Sequence, residues 1–176
     1  MNPNSWFSLD SCWLRHELTQ LDLRSLPHGR TVLGGVEFDA RVVRGWASSP
    51  ADWGYKAITI LVNQSCHRLH FLHATDLPVP EGTPVAAYAI HYADGQQCEV
   101  PVLYGRDIQA WLLEEDPPAQ VQPPIAWRTN AGGGITLQLC RFTWENSRPD
   151  VAIESLDFVS KMTKAAPFLV AITADP

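Results

Sequence analysis

The amino-acid sequence predicts an all-β protein: an antiparallel β-sandwich or jelly roll with about eight strands. Three observations carry this reading. Two apolar runs in Val85–Leu103 flank Asp94-Gly95, and Asp-Gly between alternating runs is the strongest short-range hairpin signal. Further short stretches alternate apolar and polar residues, each bounded by Gly, Pro, Asn or Asp. Helical spacing occurs only twice and briefly, at Trp13-Leu14, Leu18 and Leu21 and again over Ile108–Glu115.

Taken in order, residues 1–30 form an N-terminal extension packed on the domain, with one short helix, and residues 31–176 form the sandwich. Pro27-His28-Gly29 turns the chain. Strand one runs over Thr31–Arg44, where Val36, Phe38, Ala40 and Val42 alternate with Glu37, Asp39 and Arg41, and Gly34-Gly35 marks a bulge or bend. A loop rich in aromatic residues follows, with Trp46, Trp53 and Tyr55. Strand two is Lys56–Asn63, with Ile58, Ile60 and Val62 on one face. Strand three is Cys66–Ala74, with Leu69 and Phe71 inward. Strands four and five are the central hairpin, in which Tyr88, Ile90 and Tyr92 share a face. Its Asp-Gly pair suits a type I′ turn, where both central residues take positive φ.

Gly105–Gly134 reads as a long Pro-rich connection, with one or two helical turns over Ile108–Glu115 ended by Pro117-Pro118. Strands six, seven and eight are Ile135–Trp144, Val151–Ser160 and Phe168–Thr173.

Composition narrows the function. A chain of 176 residues that is 45% hydrophobic can bury a core as one domain. A net charge of −6 without any Lys/Arg cluster argues against nucleic acid as a partner. No apolar run is long enough to span a bilayer, and MNPNSWFSLDSCW lacks the pattern of a signal peptide, which leaves a cytoplasmic protein or a domain excised from an extracytoplasmic one. Cys12, Cys66, Cys98 and Cys140 form no Cys-x-x-Cys pair, so free, mostly buried thiols are expected. Neither a dinucleotide nor a P-loop glycine motif occurs.

Strand parity places a site. With successive strands antiparallel, the connections 45–55, 75–84, 105–134 and 161–167 share one end, and the short ones share the other. Ligand-binding residues concentrate on loops held by a rigid scaffold. The candidate ligand-binding set at that end is Trp46, Trp53, Tyr55, Arg106, Asp107, Trp127 and Asn130, near Asp76, Trp111 and Arg128. Indole faces beside carboxylate, amide and guanidinium groups suit a sugar, whose ring has an apolar face and a rim of hydroxyls. Loop tryptophans equally serve as plugs for the open end of a sandwich.

His67, His70 and His73 have the look of a metal set, but strand alternation turns His70 away from the other two. No metal or cofactor is therefore expected, with a structural calcium near Asp39 or Asp52 as the one alternative. Carboxylates are plentiful, yet no spacing selects a catalytic pair and no nucleophile motif occurs.

Several stretches together carry a resemblance: Phe38-Asp39, Leu69–Ala74, His91–Gly95, Tyr104–Ile108 with Trp111, Thr143–Asn146 with Arg148-Pro149, Ile153–Phe158, and Ala166–Thr173. This series resembles a family of bacterial galactose-binding-like jelly-roll domains of uncharacterised activity, appended to larger regulatory or extracytoplasmic proteins. Ser147 stands where that pattern carries proline. The resemblance implies a β-sandwich and, by fold analogy, carbohydrate binding without catalysis. The expected function is thus a non-catalytic carbohydrate-binding module. The alternatives are a protein-interaction or oligomerisation module, including a homodimer, and a glycoside hydrolase-like enzyme.

Overall fold

Gly34 and Gly35 both take positive φ (57° and 84°), and Leu33 pairs with Val36 across them. That is the geometry of a two-residue hairpin turn, which side-chain-free residues adopt without strain. The first predicted strand is therefore two strands folded on each other, not one strand with a bulge. In the computed structural model the described residues are 7–8, 26–27, 29–40, 42–43, 45–46, 57–114 and 123–176. They contain fourteen strands: β1 (Phe7–Ser8), β2 (Gly29–Leu33), β3 (Val36–Ala40), β4 (Val42–Val43), β5 (Gly45–Trp46), β6 (Ala57–Gln64), β7 (Arg68–Thr75), β8 (Pro84–Tyr92), β9 (Gln97–Leu103), β10 (Leu112–Leu113), β11 (Ile125–Gly132), β12 (Ile135–Glu145), β13 (Ile153–Ser160) and β14 (Pro167–Asp175).

Every pairing between these strands is antiparallel. One sheet has four strands in the order β6-β13-β8-β9. The other has six, in the order β10-β12-β7-β14-β5, with β11 paired to β12. The two sheets pack face to face, consistent with a β-sandwich. Their shared core holds Ile60, Leu69, Phe71, Tyr88, Ile90, Tyr92, Leu156 and Phe158. The inward residues are those that alternation assigns, since side chains in a strand point alternately to its two faces. Phe71 stacks on Tyr88 across the sheets, with ring centroids 3.8 Å apart.

A second core lies on the opposite face of the larger sheet. Leu72, Ala74, Phe168 and Val170 face outward there, and Leu33 and Phe38 of the β2–β3 hairpin cover them together with Leu26. Gly34 closes onto β11, where a Cβ on it would lie 2.9 Å from the Ala126 backbone.

The helix expected over Ile108–Glu115 does not form across its described residues. Ala110 bridges to Thr75, and Leu112 and Leu113 pair with Leu137 and Thr136. The Thr75 N–H donates to the Gln109 carbonyl (2.9 Å), the Trp111 N–H to the Thr75 carbonyl (2.9 Å), and the Gln138 N–H to the Trp111 carbonyl (2.8 Å). The open ladder beyond the end of β7 thus claims the backbone groups that a helix would use internally. The helix expected near Trp13–Leu21 lies outside the described residues. The long Pro-rich connection also contains a strand the sequence reading missed, β11, joined to β12 by a turn of glycines.

The central hairpin is present with a different turn. His91 and Gln97 are the last pair, Gly95 takes positive φ (85°), and Asp94 does not. The Asp94 carboxylate accepts the Gln96 N–H (3.1 Å), a local bond that holds the longer four-residue connection.

Candidate functional site

The strand registers bring the connections after β7, β9 and β13 to one end. Pro167 lies opposite Thr75, Pro84 opposite Leu103, and Ser160 opposite Ala86. Backbone bonds lace these loops together. The Asp76 and Leu77 N–H groups donate to the Ala166 and Ala165 carbonyls (both 3.1 Å), and Gly82 and Tyr104 donate to Tyr104 and Thr83 (2.9 and 3.0 Å). Ile108 and Ala165 are buried beneath them in the core between the sheets, so this end is capped. Trp111 lies in the second core with Leu72 and Phe168, and its indole N–H donates to the Asp76 carboxylate (3.0 Å).

Asp107 is buried in the cap. Its carboxylate accepts the Leu103 N–H (2.8 Å) and two bonds from the neighbouring Arg106 guanidinium, from Nε and Nη2 (2.8 and 2.7 Å). That partnership raises the Arg106 pKa. Below it lies His73, fully buried. Its Nε2 is 3.0 Å from the Asp107 carbonyl and its Nδ1 is 2.8 Å from the Tyr88 hydroxyl. A carbonyl only accepts, so Nε2 carries the proton and Tyr88 donates to Nδ1. Burial lowers the His73 pKa to about 4 and raises that of Tyr88 well above its ordinary value. A neutral imidazole thereby ties the sandwich interior to the cap. Burial also pushes the Cys140 thiol up to about 12, which leaves it an inert part of the core.

Of the predicted ligand-binding residues, the structure brings Arg106 and Asp107 together, as partners of each other. Trp127 lies opposite Leu139 on β11 and packs half-buried against the second core. Asn130 lies opposite Thr136, and its side-chain oxygen accepts the Gly132 N–H (2.7 Å). The backbone of Trp46 pairs with Phe168, but its side chain lies outside the described residues, as do Trp53 and Tyr55. Among the described residues no aromatic side chain is exposed, and the large exposed apolar side chains are Val32, Leu61 and Leu77. No group of three metal-ligating side chains occurs among the described residues. His73 faces the interior while His70 turns to Thr143 (2.9 Å).

The outer face of the four-stranded sheet is a second surface. Thr59, Asp157 and Ala89 lie in one row, and Leu61, Ser155 and His91 in the next. Asp157 accepts from the Thr59 hydroxyl (2.5 Å) and meets His91 Nε2 at 2.9 Å. The carboxylate therefore sits between hydroxyl and imidazole. A nucleophilic triad needs the imidazole in the middle, so these three groups make no such triad. At one border of this sheet, β9 carries Pro101 and Glu99, the latter paired with Lys161 (2.9 Å). At the other border, β6 reads AITILVNQ, with no charge and no proline, and Leu61 is 70% exposed. Among the described residues β6 pairs only with β13, with an irregularity between Leu61 and Gln64 where Asn63 takes positive φ (51°). From the sequence this strand shows only the alternation that places Ile58, Ile60 and Val62 on one face. A strand without charge or proline reads as an interior one, so nothing in its sequence marks a border position.

At the far end, Asn146 joins the short connections. Its amide donates to the Cys66 carbonyl (2.8 Å), and its oxygen accepts from the Tyr92 hydroxyl (2.7 Å) and the Arg148 N–H (2.9 Å). Arg148 in turn covers the Tyr92 ring and pairs with Asp94.

In comparisons with known proteins, no family model matches the chain and no curated protein matches it. No helix among the described residues is long and apolar enough to cross a membrane.

Proposed function

We propose that this domain is a non-catalytic interaction module that binds an extended protein segment along the edge of β6 that faces away from β13. One observation carries the reading: an eight-residue border strand without charge or proline, whose Leu61 is 70% exposed. An open strand edge offers a row of backbone donors and acceptors, and proteins normally blunt such edges with charge, proline or cover. The opposite border, with Pro101 and Glu99, is blunted in this way. Strand addition draws affinity from backbone hydrogen bonds and specificity from alternate side chains. The resemblance to galactose-binding-like jelly-roll domains supports the broader idea of a binding domain attached to a larger protein. The test is a titration of isotope-labelled protein with an extended peptide of alternating apolar residues. Amide shifts confined to β6 are expected. Shifts on β9, or none, would count against the proposal.

A second reading keeps the glycan as ligand, at the end where the long connections meet. The partly buried Trp127, with Asn130 on the same strand and Arg106 on the cap, favours it. A sugar would stack on the indole while the amide and guanidinium groups bind its hydroxyls. Titration with a panel of oligosaccharides, read by tryptophan fluorescence, tests this. Saturable binding that Trp127→Ala abolishes is the expected result, and silence across the panel removes it.

A further inference from the structure

The β2–β3 hairpin covers the second core without joining either main sheet. Among the described residues it forms a two-stranded sheet of its own. Leu33 and Phe38 seat it in the second core with Leu72 and Phe168. Two side chains of the larger sheet clip its backbone: Arg141 donates to the Gly34 carbonyl, and the Thr173 hydroxyl donates to the Glu37 carbonyl (2.6 Å). We infer that this hairpin is an acid-released cover: protonation of His70 at its border favours a state in which residues 29–40 lift from the larger sheet while the sandwich stays folded. Such a device goes beyond the β6 reading and does not depend on it.

Three observations single out His70. The first is position. His70 lies between Thr143 and Thr173 across the larger sheet, and Arg141 lies opposite Leu72 in the next row of the same face. These two rows therefore carry both clips. The Glu37 carbonyl bonded to Thr173 brings β3 over the row of His70, and His70 is only 8% exposed. The second is charge. Arg68 on the same strand, Arg141 and Glu145 on β12, and Asp175 on β14 act on the imidazole, and β3 carries Glu37 and Asp39. Arg68 pairs with both Glu145 (3.0 Å) and Asp175 (3.5 Å), so a guanidinium already engages these two acids. Burial, with Arg141 and Arg68, holds the imidazole below its ordinary value against the opposing pull of Asp175 and Glu145. Charging a side chain in such a site is costly, and solvent relieves the cost once β3 moves. The third is the seam. Side-chain contacts and two clips hold the hairpin to the sheet, so its lifting leaves the ladders of the sandwich core intact. Local openings of this kind lie below global unfolding in free energy.

Hydrogen exchange of the full chain, read by mass spectrometry and divided by the intrinsic rate at each pH, tests this. An opening that solvates His70 lets it take up one proton at its ordinary value. From about pH 7.5 to about pH 5 the opening constant of residues 29–40 should therefore rise at least about threefold and at most about thirtyfold. At the lower pH these residues should exchange faster than β8 and β13. His70→Gln should remove the rise. His73→Gln should leave it, because His73 faces the interior and stays buried when the hairpin lifts. Thr173→Val, which keeps the shape and loses one clip, should raise the opening of residues 29–40 at both pH values without changing their ratio. Residues 29–40 that exchange no faster than β8 and β13 overturn the inference, since hairpin and sandwich then open together. So does a wild-type profile that is flat with pH, or a rise that survives His70→Gln. Where His70→Gln does not fold, the wild-type and Thr173→Val profiles decide: unchanged protection of residues 29–40 in Thr173→Val removes the clip and the cover with it.

Discussion

His73 has both ring nitrogens occupied, by the Asp107 carbonyl and the Tyr88 hydroxyl, in a site without solvent. Its proton balance therefore enters stability. The folded imidazole titrates at about 4 and the unfolded one near the ordinary 6.5. Between these values the unfolded chain binds a proton that the folded chain refuses. The stabilisation is present above the unfolded value and is lost as pH falls through the interval to the folded value. That interval corresponds to roughly 3 kcal/mol. Urea denaturation at a series of pH values should show this loss, and His73→Gln should show a shallower slope over the same interval. Equal slopes would mean that His73 is not the group responsible. Asn146 is a second residue whose bonds are nearly all internal. Its replacement by alanine strands the Tyr92 hydroxyl and the Cys66 carbonyl, and should cost roughly 2–3 kcal/mol, read as a lower urea midpoint. The neighbouring Ser147 is exposed, and Ser147→Ala should leave the midpoint unmoved.

Glycine turns control the hairpins, and they do so unequally. Gly34 has positive φ and abuts the Ala126 backbone, whereas Gly133 has positive φ and open space around its Cβ position. Gly133→Ala should cost about 1 kcal/mol from backbone strain alone, and Gly34→Ala roughly 3 kcal/mol, because β11 must also move. Thermal melts of the two variants test the difference. The same glycines show what the sequence made legible. Period-two alternation exposed the strands of the main sandwich and their faces, because Ile58, Ile60, Tyr88 and Ile90 turn inward wherever the sheet sits. It did not separate a bulge at Gly34-Gly35 from a reversal, since both need positive φ there. Only the meeting of Leu33 with Val36 distinguishes them. The residues from Ile108 on had helical spacing, yet their backbone was recruited by Thr75, more than thirty positions earlier in the chain. Such a claim by a distant edge leaves no mark on local pattern. The cap around Asp107 was partly legible. Parity brought the loops together, but nothing local revealed that Arg106 would engage the carboxylate or that Trp111 would turn into the second core.

Two cores share one sheet, and they draw on different parts of the chain. The core between the sheets takes its side chains from Ile58 onward. The core on the outer face of the larger sheet requires Leu26, Leu33, Val36 and Phe38. Phe38→Ala should thus open a cavity in the second core alone and cost about 3–4 kcal/mol, typical for a fully buried aromatic. A fragment beginning at Ala57 makes the sharper test. It retains every residue of the inter-sheet core and loses the cover of Leu72, Ala74, Phe168 and Val170. Such a fragment should unfold cooperatively, at a lower temperature than the full chain, while binding a hydrophobic dye on the uncovered sheet face. It should also self-associate through this apolar surface, which the full chain keeps covered. A fragment without a cooperative transition would show instead that the two cores fold as one unit. The β2–β3 hairpin would then be part of the minimal fold and not a layer added to it.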